Sequence, residues 1–288
     1  MSHLFEQLST SVYWLSPESA TDRPLLGVVT GSAGSLIVDA GNSCEHARLL
    51  LKHMDGAGLR PPRYLVLTHW HWDHWFGAAA LDAPAFAHAE TRRLIAAQAA
   101  LDWSDAALDA RVAQGTEIAF CRDMIVTEHP DRSQLVLRTP DIAFTGALEL
   151  DLGGVTCRLI HVGGDHAADS IVVHVPEART VFLSDCRYDA IYAPRRHYTV
   201  TNVLPLYDRL LALDAEIYLG GHEAEPISRA ALEAEAHLIR GVAAIVERTG
   251  GDREAGLAAL QAMGAPPDAE AIEILDSLLA GLPRRATE

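Results

Sequence analysis

Basic charge is what this chain of 288 residues is short of: 23 Lys+Arg stand against 39 Asp+Glu, a formal net charge of −16 at pH 7. A surface of that sign repels phosphate backbones and anionic headgroups, so the expectation is no nucleic-acid partner and no membrane partner. Long apolar runs are missing too, since no stretch approaches the roughly 18 consecutive apolar residues of a spanning helix. The start, MSHLFEQLST, has neither the basic n-region nor the apolar h-region of an export signal. A cytoplasmic location is therefore expected. Cysteine is scarce, with Cys44, Cys121, Cys157 and Cys186 spaced without a CxxC pair, which excludes a disulfide scaffold and leaves reduced thiols. What the chain does have is apolar mass: 49% of it is hydrophobic, enough for a sizeable core.

That apolar mass is patterned. SVYWL near residue 12 and the two runs of LLGVVTGSAGSLIVDAG read as strands, with Gly31-Ser32-Ala33-Gly34 as a hairpin turn. Asn42 or Ser43 can cap a helix in which Ala47, Leu50, Leu51 and Met54 recur at helical spacing. Arg63 to Leu67 is a continuous apolar run, the pattern of a strand buried on both faces. Glu90 to Gln114 is Ala-rich and reads as a connecting helix pair, part of an insertion over about 88–118. Strand signals return in LELDLGGVTCRLIHVGG, SIVVHVP and RTVFLSD, then a helix over 203–213, the strand EIYLGG and a long helix with Pro226 in its first turn, running to Gly250. Two more amphipathic stretches, near 252–263 and 268–281, complete an acidic helical tail. The simplest partition is a catalytic domain over 1–225 and a helical extension over 226–288 packed on it.

The chemistry is concentrated in His69-Trp70-His71-Trp72-Asp73-His74. At this chain's composition the pattern HxHxDH would arise by chance in roughly two such chains per thousand. Alternating residues leaving a strand can turn His69 and His71 toward one point and Asp73 and His74 toward a neighbouring one, which points to two metals. Each metal then needs further ligands from later strand ends. His166 in GGDHAADS, Asp185 closing VFLSD and His222 after EIYLGG supply them. A His-rich surface loop is the competing reading of the cluster alone, and Trp70, Trp72 and Trp75 fit either an apolar pocket wall or core packing.

On these residues the chain resembles the metallo-β-lactamase superfamily of hydrolases, from about residue 12 to His222: Asp39 in LIVDAG, then THWHWDH, His166, Asp185 and GGH at His222. The resemblance implies an α/β fold, a four-layer αβ/βα sandwich of two mixed sheets with the site at one edge. It also implies His69, His71 and His166 on one divalent ion, Asp73, His74 and His222 on the other, Asp185 bridging, and Asp39 anchoring the histidine loop. Zinc is the metal expected, with iron or manganese as alternatives. The stretch DHAADSIVVHVPEARTVFLSDC, including Asp169 and Pro176, is similar to that of the secreted lactamases up to their cysteine ligand, but here Asp185 holds that spacing and Cys186 falls one residue later. His74 also stands where those lactamases lack a histidine, so β-lactam hydrolysis is not the expected native reaction.

The reading that follows is a dinuclear hydrolase of a small ester, thioester or lactone, with a shared hydroxide as nucleophile and Asp73 orienting it. A persulfide-oxidising enzyme with one iron, a phosphodiesterase and a metal-binding module without turnover are the alternatives. Tyr188, three residues past Asp185, stands where lactonases of this superfamily carry a tyrosine that assists the leaving group; a solvated loop is the rival reading, and the stronger one for Arg187, Arg195 and Arg196. Cys186 is expected to be a small buried residue, and Asp165, Asp169 and Ser170 either support the ligands or cap the backbone. In the tail, Leu238, Ile239, Val242 and Ile245 require a partner surface behind His222. Leu275, Leu278 and Leu279 form a stripe suited to a homodimer interface, a lid being the alternative.

Overall fold

The computed structural model describes residues 3–262 and 269–283. Apolar residues alternating along short strands build two mixed sheets. The first runs in chain order through β1 (Phe5–Gln7), β2 (Val12–Leu15), β3 (Leu26–Gly31), β4 (Gly34–Val38), β5 (Pro62–Leu67), β6 (Ala85–His88) and β7 (Ile142–Phe144), antiparallel up to β4 and parallel from there. The second runs through β8 (Ala147–Asp151), β9 (Thr156–His161), β10 (Ile171–Val175), β11 (Thr180–Ser184), β12 (Ile217–Gly220) and β13 (Ile227–Ser228), with β11 and β12 its parallel pair. The hairpin at Gly31-Ser32-Ala33-Gly34 forms as read, with Gly31 opposite Gly34.

Side chains of period two decide which face each sheet turns to the other. Val12 and Trp14, Leu36 and Val38, and Val66 from the first sheet meet Ile171, Val173, Val175 and Phe182 from the second in one buried layer. Phe182 reaches so far across that a Cβ on Gly27 would lie 2.3 Å from its ring, so only glycine fits there. The alternate residues point outward into two further cores. Ile37, Leu65 and Leu67 are covered by α1 (Cys44–Gly56), by the single turn α2 (Trp72–Trp75), and by side chains of α3 (Ala89–Ala99), α4 (Asp105–Gln114) and α5 (Ala119–Glu128). Val172, Val181 and Leu183 are covered by α6 (Val200–Ala212), α7 (Arg229–Arg248), α8 (Arg253–Ala262) and α9 (Ala269–Ala280). Helix, sheet, sheet, helix is the four-layer sandwich that the sequence implies.

Several local readings change. The Ala-rich stretch from Glu90 forms the helix pair as read, α3 and α4, with Ser104 accepting from Ala107 N at the start of the second, but a third helix, α5, follows the segment 88–118. Helix α6 starts at Val200, not 203, because the Asp165 carboxylate, from a distant loop, accepts from Thr199 N and Oγ1. Pro226 lies outside the tail helix: residues Ile227–Ser228 are drawn into the sheet edge as β13, and Ser228 is the N-cap. Trp72 and Trp75 are buried beneath the first sheet, which settles core packing for both. In the tail, Ile239, Val242 and Ile245 are buried and Leu238 half-buried against the second sheet. Leu275 and Leu278 are already buried in that same core, with Leu279 packed on it, so the chain's own helices cover the stripe offered to a second copy. Parts of the stretches near 252–263 and 268–281 lie outside the described residues.

Because Leu275 is fully buried among α7, α8 and α9, Leu275→Ala should lower the unfolding free energy by about 2–5 kcal/mol through the cavity it leaves. The check is a lower urea midpoint at unchanged m-value; an unmoved midpoint would separate the tail from the cooperative core.

Candidate metal centre

Five strands deliver the polar residues to one edge of the sandwich, each from its C-terminal end. Asp39 follows β4, Thr68 to His74 follow β5, the loop after β9 carries His166, Asp185 follows β11 and His222 follows β12. Backbone bonds lock these ends together: Ile171 N donates to Thr68 O at 3.0 Å, Gly221 N to Ser184 O at 3.0 Å and Leu25 N to Gly221 O at 2.6 Å.

The seven candidate ligands come together as two groups. Nitrogens of His69, His71 and His166 lie within 4.8 Å of one another, and so do donor atoms of Asp73, His74, Asp185 and His222. Asp185 Oδ2 belongs to both neighbourhoods, at 3.3 Å from His166 Nε2, 3.9 Å from His69 Nε2, 3.3 Å from His74 Nε2 and 3.4 Å from His222 Nε2. Donors held about 2.0–2.2 Å from one tetrahedral ion stand about 3.3 Å apart, and these spacings match. A second observation makes the same point. Nε2 of His69, His71 and His166 and Oδ1 of Asp185 are buried with no hydrogen-bond partner, and so many orphaned acceptors in one place are costly unless a cation uses their lone pairs. The residues therefore fit a divalent ion.

The opposite ring nitrogens of His69, His74 and His166 are engaged, which aims those rings. Asp39 Oδ2 takes His74 Nδ1 at 2.8 Å, Thr68 Oγ1 at 2.9 Å and Ser184 Oγ at 3.1 Å, while Oδ1 takes Thr68 N at 2.8 Å. His69 Nδ1 is 3.1 Å from Thr68 Oγ1, and His166 Nδ1 donates to Asp189 O at 3.2 Å. Such outer hydrogen bonds fix the tautomer and ring orientation of ligating histidines. His222 is braced differently, with Nδ1 3.5 Å from Asp22 Oδ1. Among the described residues four non-glycines have positive φ, and three of them, Asp22, Asp39 and Ser184, are these supports, so backbone strain is gathered at the site. Gly221 is required as well: a Cβ there would lie 1.8 Å from Asp185 Oδ1.

Electrostatics separates the two groups. Burial, and then the neighbouring imidazoles, hold His69 and His71 well below the ordinary histidine range, so both are neutral donors. Burial acts the same way on His74 and His222, but Asp73 and Asp185 overcome it and raise both. Burial, reinforced by Asp73, pushes Asp22 up to about 7.

A cavity of about 450 Å³ opens onto these donors, walled by Ile118, Phe120, Ile191 and Pro194 and bordered by Tyr188, Arg195 and Arg196. None of the three tryptophans lines it; Trp70 instead packs on His71 and Tyr192. Tyr188 stands beside the donors with its hydroxyl donating to Glu223 Oε2 at 2.7 Å and accepting from His222 N at 3.3 Å. Burial, then Asp185 and Glu223, raise its pKa far above the tyrosine range. Arg187 is no solvated loop residue: it is buried and paired with Glu223 and with Glu235 of α7 at 2.5 Å. Cys186 is buried, its thiol pushed up to about 12, chiefly by burial. Asp165 caps α6, while Asp169 and Ser170 are buried with side-chain oxygens that no donor reaches. Sequence reasoning missed Asp22, Glu117, Glu223 and Glu235. The first lies in a turn with no motif, and the others reach the site's surroundings through partners at least 35 residues away, Tyr188 for Glu223, Arg187 for Glu235 and Tyr192 for Glu117.

The fold and this donor set define a class, a sandwich of two mixed sheets with a candidate metal site at its edge. A family model for the metallo-beta-lactamase superfamily matches residues 25–222, and the chain belongs to that superfamily. Solved structures agree at the level of fold. A metallo-beta-lactamase from Pontibacter korlensis superposes with a TM-score of 0.58 at 18% identity, covering 82% of this chain and 98% of that one. A metallo-beta-lactamase family protein from Thermus thermophilus gives 0.58 at 21% identity, covering 84% and 83%. One from Hirschia baltica gives 0.54 at 17%, covering 82% and 97%. No curated protein sequence matches the chain.

Asp39→Ala removes the acceptor that orients His74 and should weaken metal binding by about 10–100-fold. Competition with a chromophoric chelator reads this directly, and unchanged affinity would remove Asp39 from the support. His74 and His222 hold protons above the ordinary range before metal binds, so loading must release protons and affinity must fall as pH falls. Calorimetry in buffers of different ionisation enthalpy should show that release; a heat independent of buffer would contradict it.

Proposed function

We propose that the chain is a dinuclear metal hydrolase, with zinc in both positions, acting on a small ester, thioester or lactone. The observation that carries this reading is Asp185 Oδ2, one carboxylate oxygen within 3.9 Å of ring nitrogens from both donor groups. In this reading His69, His71 and His166 hold one ion, Asp73, His74 and His222 hold the other, and Asp185 bridges. A pair of divalent ions supplies Lewis acidity and brings the pKa of a bound water from 15.7 to about 7. The residues then divide the remaining work. Asp73, held ionised by His74 and His222 against its burial, would orient the nucleophilic water. Tyr188, kept protonated, lines the cavity and would serve the departing oxygen or sulfur as donor once its hydroxyl turns away from Glu223. The apolar walls exclude water from the scissile bond.

A small-molecule substrate suits a cavity of this size. The net charge of −16 supports a reading without nucleic-acid or membrane partners, and no helix among the described residues is long and apolar enough to cross a membrane. A cytoplasmic location and a homodimer through the tail belong to the same proposal, the dimer now resting on surfaces other than the Leu275 stripe.

Metal-replete protein should hold close to two equivalents of zinc by elemental analysis. A single equivalent at saturation would overturn the dinuclear reading. Chelation should abolish hydrolysis of ester, thioester and lactone probes and lower the thermal midpoint together, because an ion that binds only the folded state stabilises it by mass action. Asp185→Ala should cut turnover by more than about a hundredfold, the upper range for outer-shell changes, and should lose at least one equivalent of metal. Full turnover in that variant would sink the bridging role.

A further inference from the structure

The cavity is lined by the buried His71, Asp73, His166 and Asp185 with half-buried His222, by the apolar Ile118, Phe120, Ile191 and Pro194, and by two adjacent exposed guanidinium groups, Arg195 and Arg196, which mark its border. Phe120 is 54% exposed, a large apolar ring at the border of the cavity. The two arginines are not equivalent. Arg196 is committed to Asp189, with Nη2 2.7 Å and Nε 3.0 Å from Oδ1. Arg187, deeper in the same loop, is committed to Glu223 and Glu235. Arg195 makes neither an ion pair nor a side-chain hydrogen bond among the described residues. Asp276, whose carboxyl feels the Arg195 charge, is already held by Arg253 at 2.6 and 2.8 Å.

In a chain with 39 acidic residues and 23 basic ones, a cation left unpaired beside a pocket is a notable omission. We propose that Arg195 is the recognition group for a terminal carboxylate, so that the substrate is an acyl compound with its scissile carbonyl at the metal donors, an apolar body along Ile118, Phe120 and Ile191, and a carboxylate at the border. This rests on the hydrolase reading of the site and narrows its substrate class. A guanidinium presents two parallel N–H donors that match a carboxylate. One uncommitted cation balances a single negative charge, and a phosphate dianion would leave charge uncompensated. A neutral substrate would leave Arg195 without any partner.

The test uses zinc-loaded full-length protein and two esters of nearly equal size, 4-nitrophenyl hydrogen glutarate and its uncharged counterpart 4-nitrophenyl pentanoate. Wild type should prefer the charged ester by about ten- to a hundredfold in kcat/KM, the span expected for one charge-assisted bond, with the difference in KM. Arg195→Ala should bring the ratio of the two esters close to one, Arg195→Lys should keep part of it, and Arg195→Glu should invert it. No charge preference in wild type, or an equal loss on both esters in Arg195→Ala, overturns the subsite while leaving the hydrolase reading in place. If neither ester is cleaved, the hydrolase reading fails and calorimetry decides the subsite. Glutaric acid monoanilide should then bind wild type at least about tenfold more tightly than Arg195→Ala, and tighter than N-phenylpentanamide; equal binding overturns the proposal.

Discussion

The buried carboxylate of Asp39 is the contact on which the edge of this sandwich depends. A charge removed from water must be met by hydrogen bonds or it destabilises the fold. Asp39 is met by four donors: the amide and hydroxyl of Thr68 at the end of β5, the hydroxyl of Ser184 at the end of β11, and Nδ1 of His74 in the short helix. One side chain thereby joins the two sheets and sets the direction of a candidate ligand. Removing any partner leaves a charge or a hydroxyl unsatisfied in the same small volume. The left-handed backbone at Asp39 and Ser184 is the strain that this arrangement holds in place.

Around this contact the donors are arranged in order of distance from the metal site. One ring nitrogen of each of His69, His74 and His166 faces the candidate site, the opposite nitrogens are tied to hydroxyl, carboxylate or carbonyl groups, and those groups are held by strand ends. The tail joins the same hierarchy from the other side. Glu235 of α7 holds Arg187, Arg187 holds Glu223, and Glu223 holds the Tyr188 hydroxyl beside His222. A buried ion pair of this kind adds little net stability, because desolvation offsets attraction, yet it fixes direction well. The C-terminal helices are therefore structural neighbours of the site, reaching it through a chain of hydrogen bonds.

Much of the edge was legible in the chain itself. The spacing of His69, His71, Asp73 and His74 at the end of an apolar run, and the isolated His166, Asp185 and His222 after later strands, announce metal chemistry because imidazoles and carboxylates crowd at strand ends for few other reasons. The short continuous apolar runs of β4, β5, β10 and β11 announce buried strands because a strand covered on both faces has no solvent side to carry polar residues. These are local properties, and local sequence carries them.

Only the tertiary structure decided the rest, since it depends on residues far apart in the chain. Whether Trp72 and Trp75 lined a pocket or filled a core turned on which side of the first sheet the histidine loop crosses. Leu275 and Leu278 looked ready for a second copy until α7 and α8 covered them. Asp165 as the cap of α6, Asp22 as the brace of His222 and Glu223 as the acceptor of Tyr188 show no motif, because each works through a partner at least 34 residues away, with Asp22 just ahead of the matched family region and His222 at its far end. Residue type and periodicity pointed to a candidate metal site and to β layers with helices outside them. Long-range packing determined which side chains support that site and which wall its cavity.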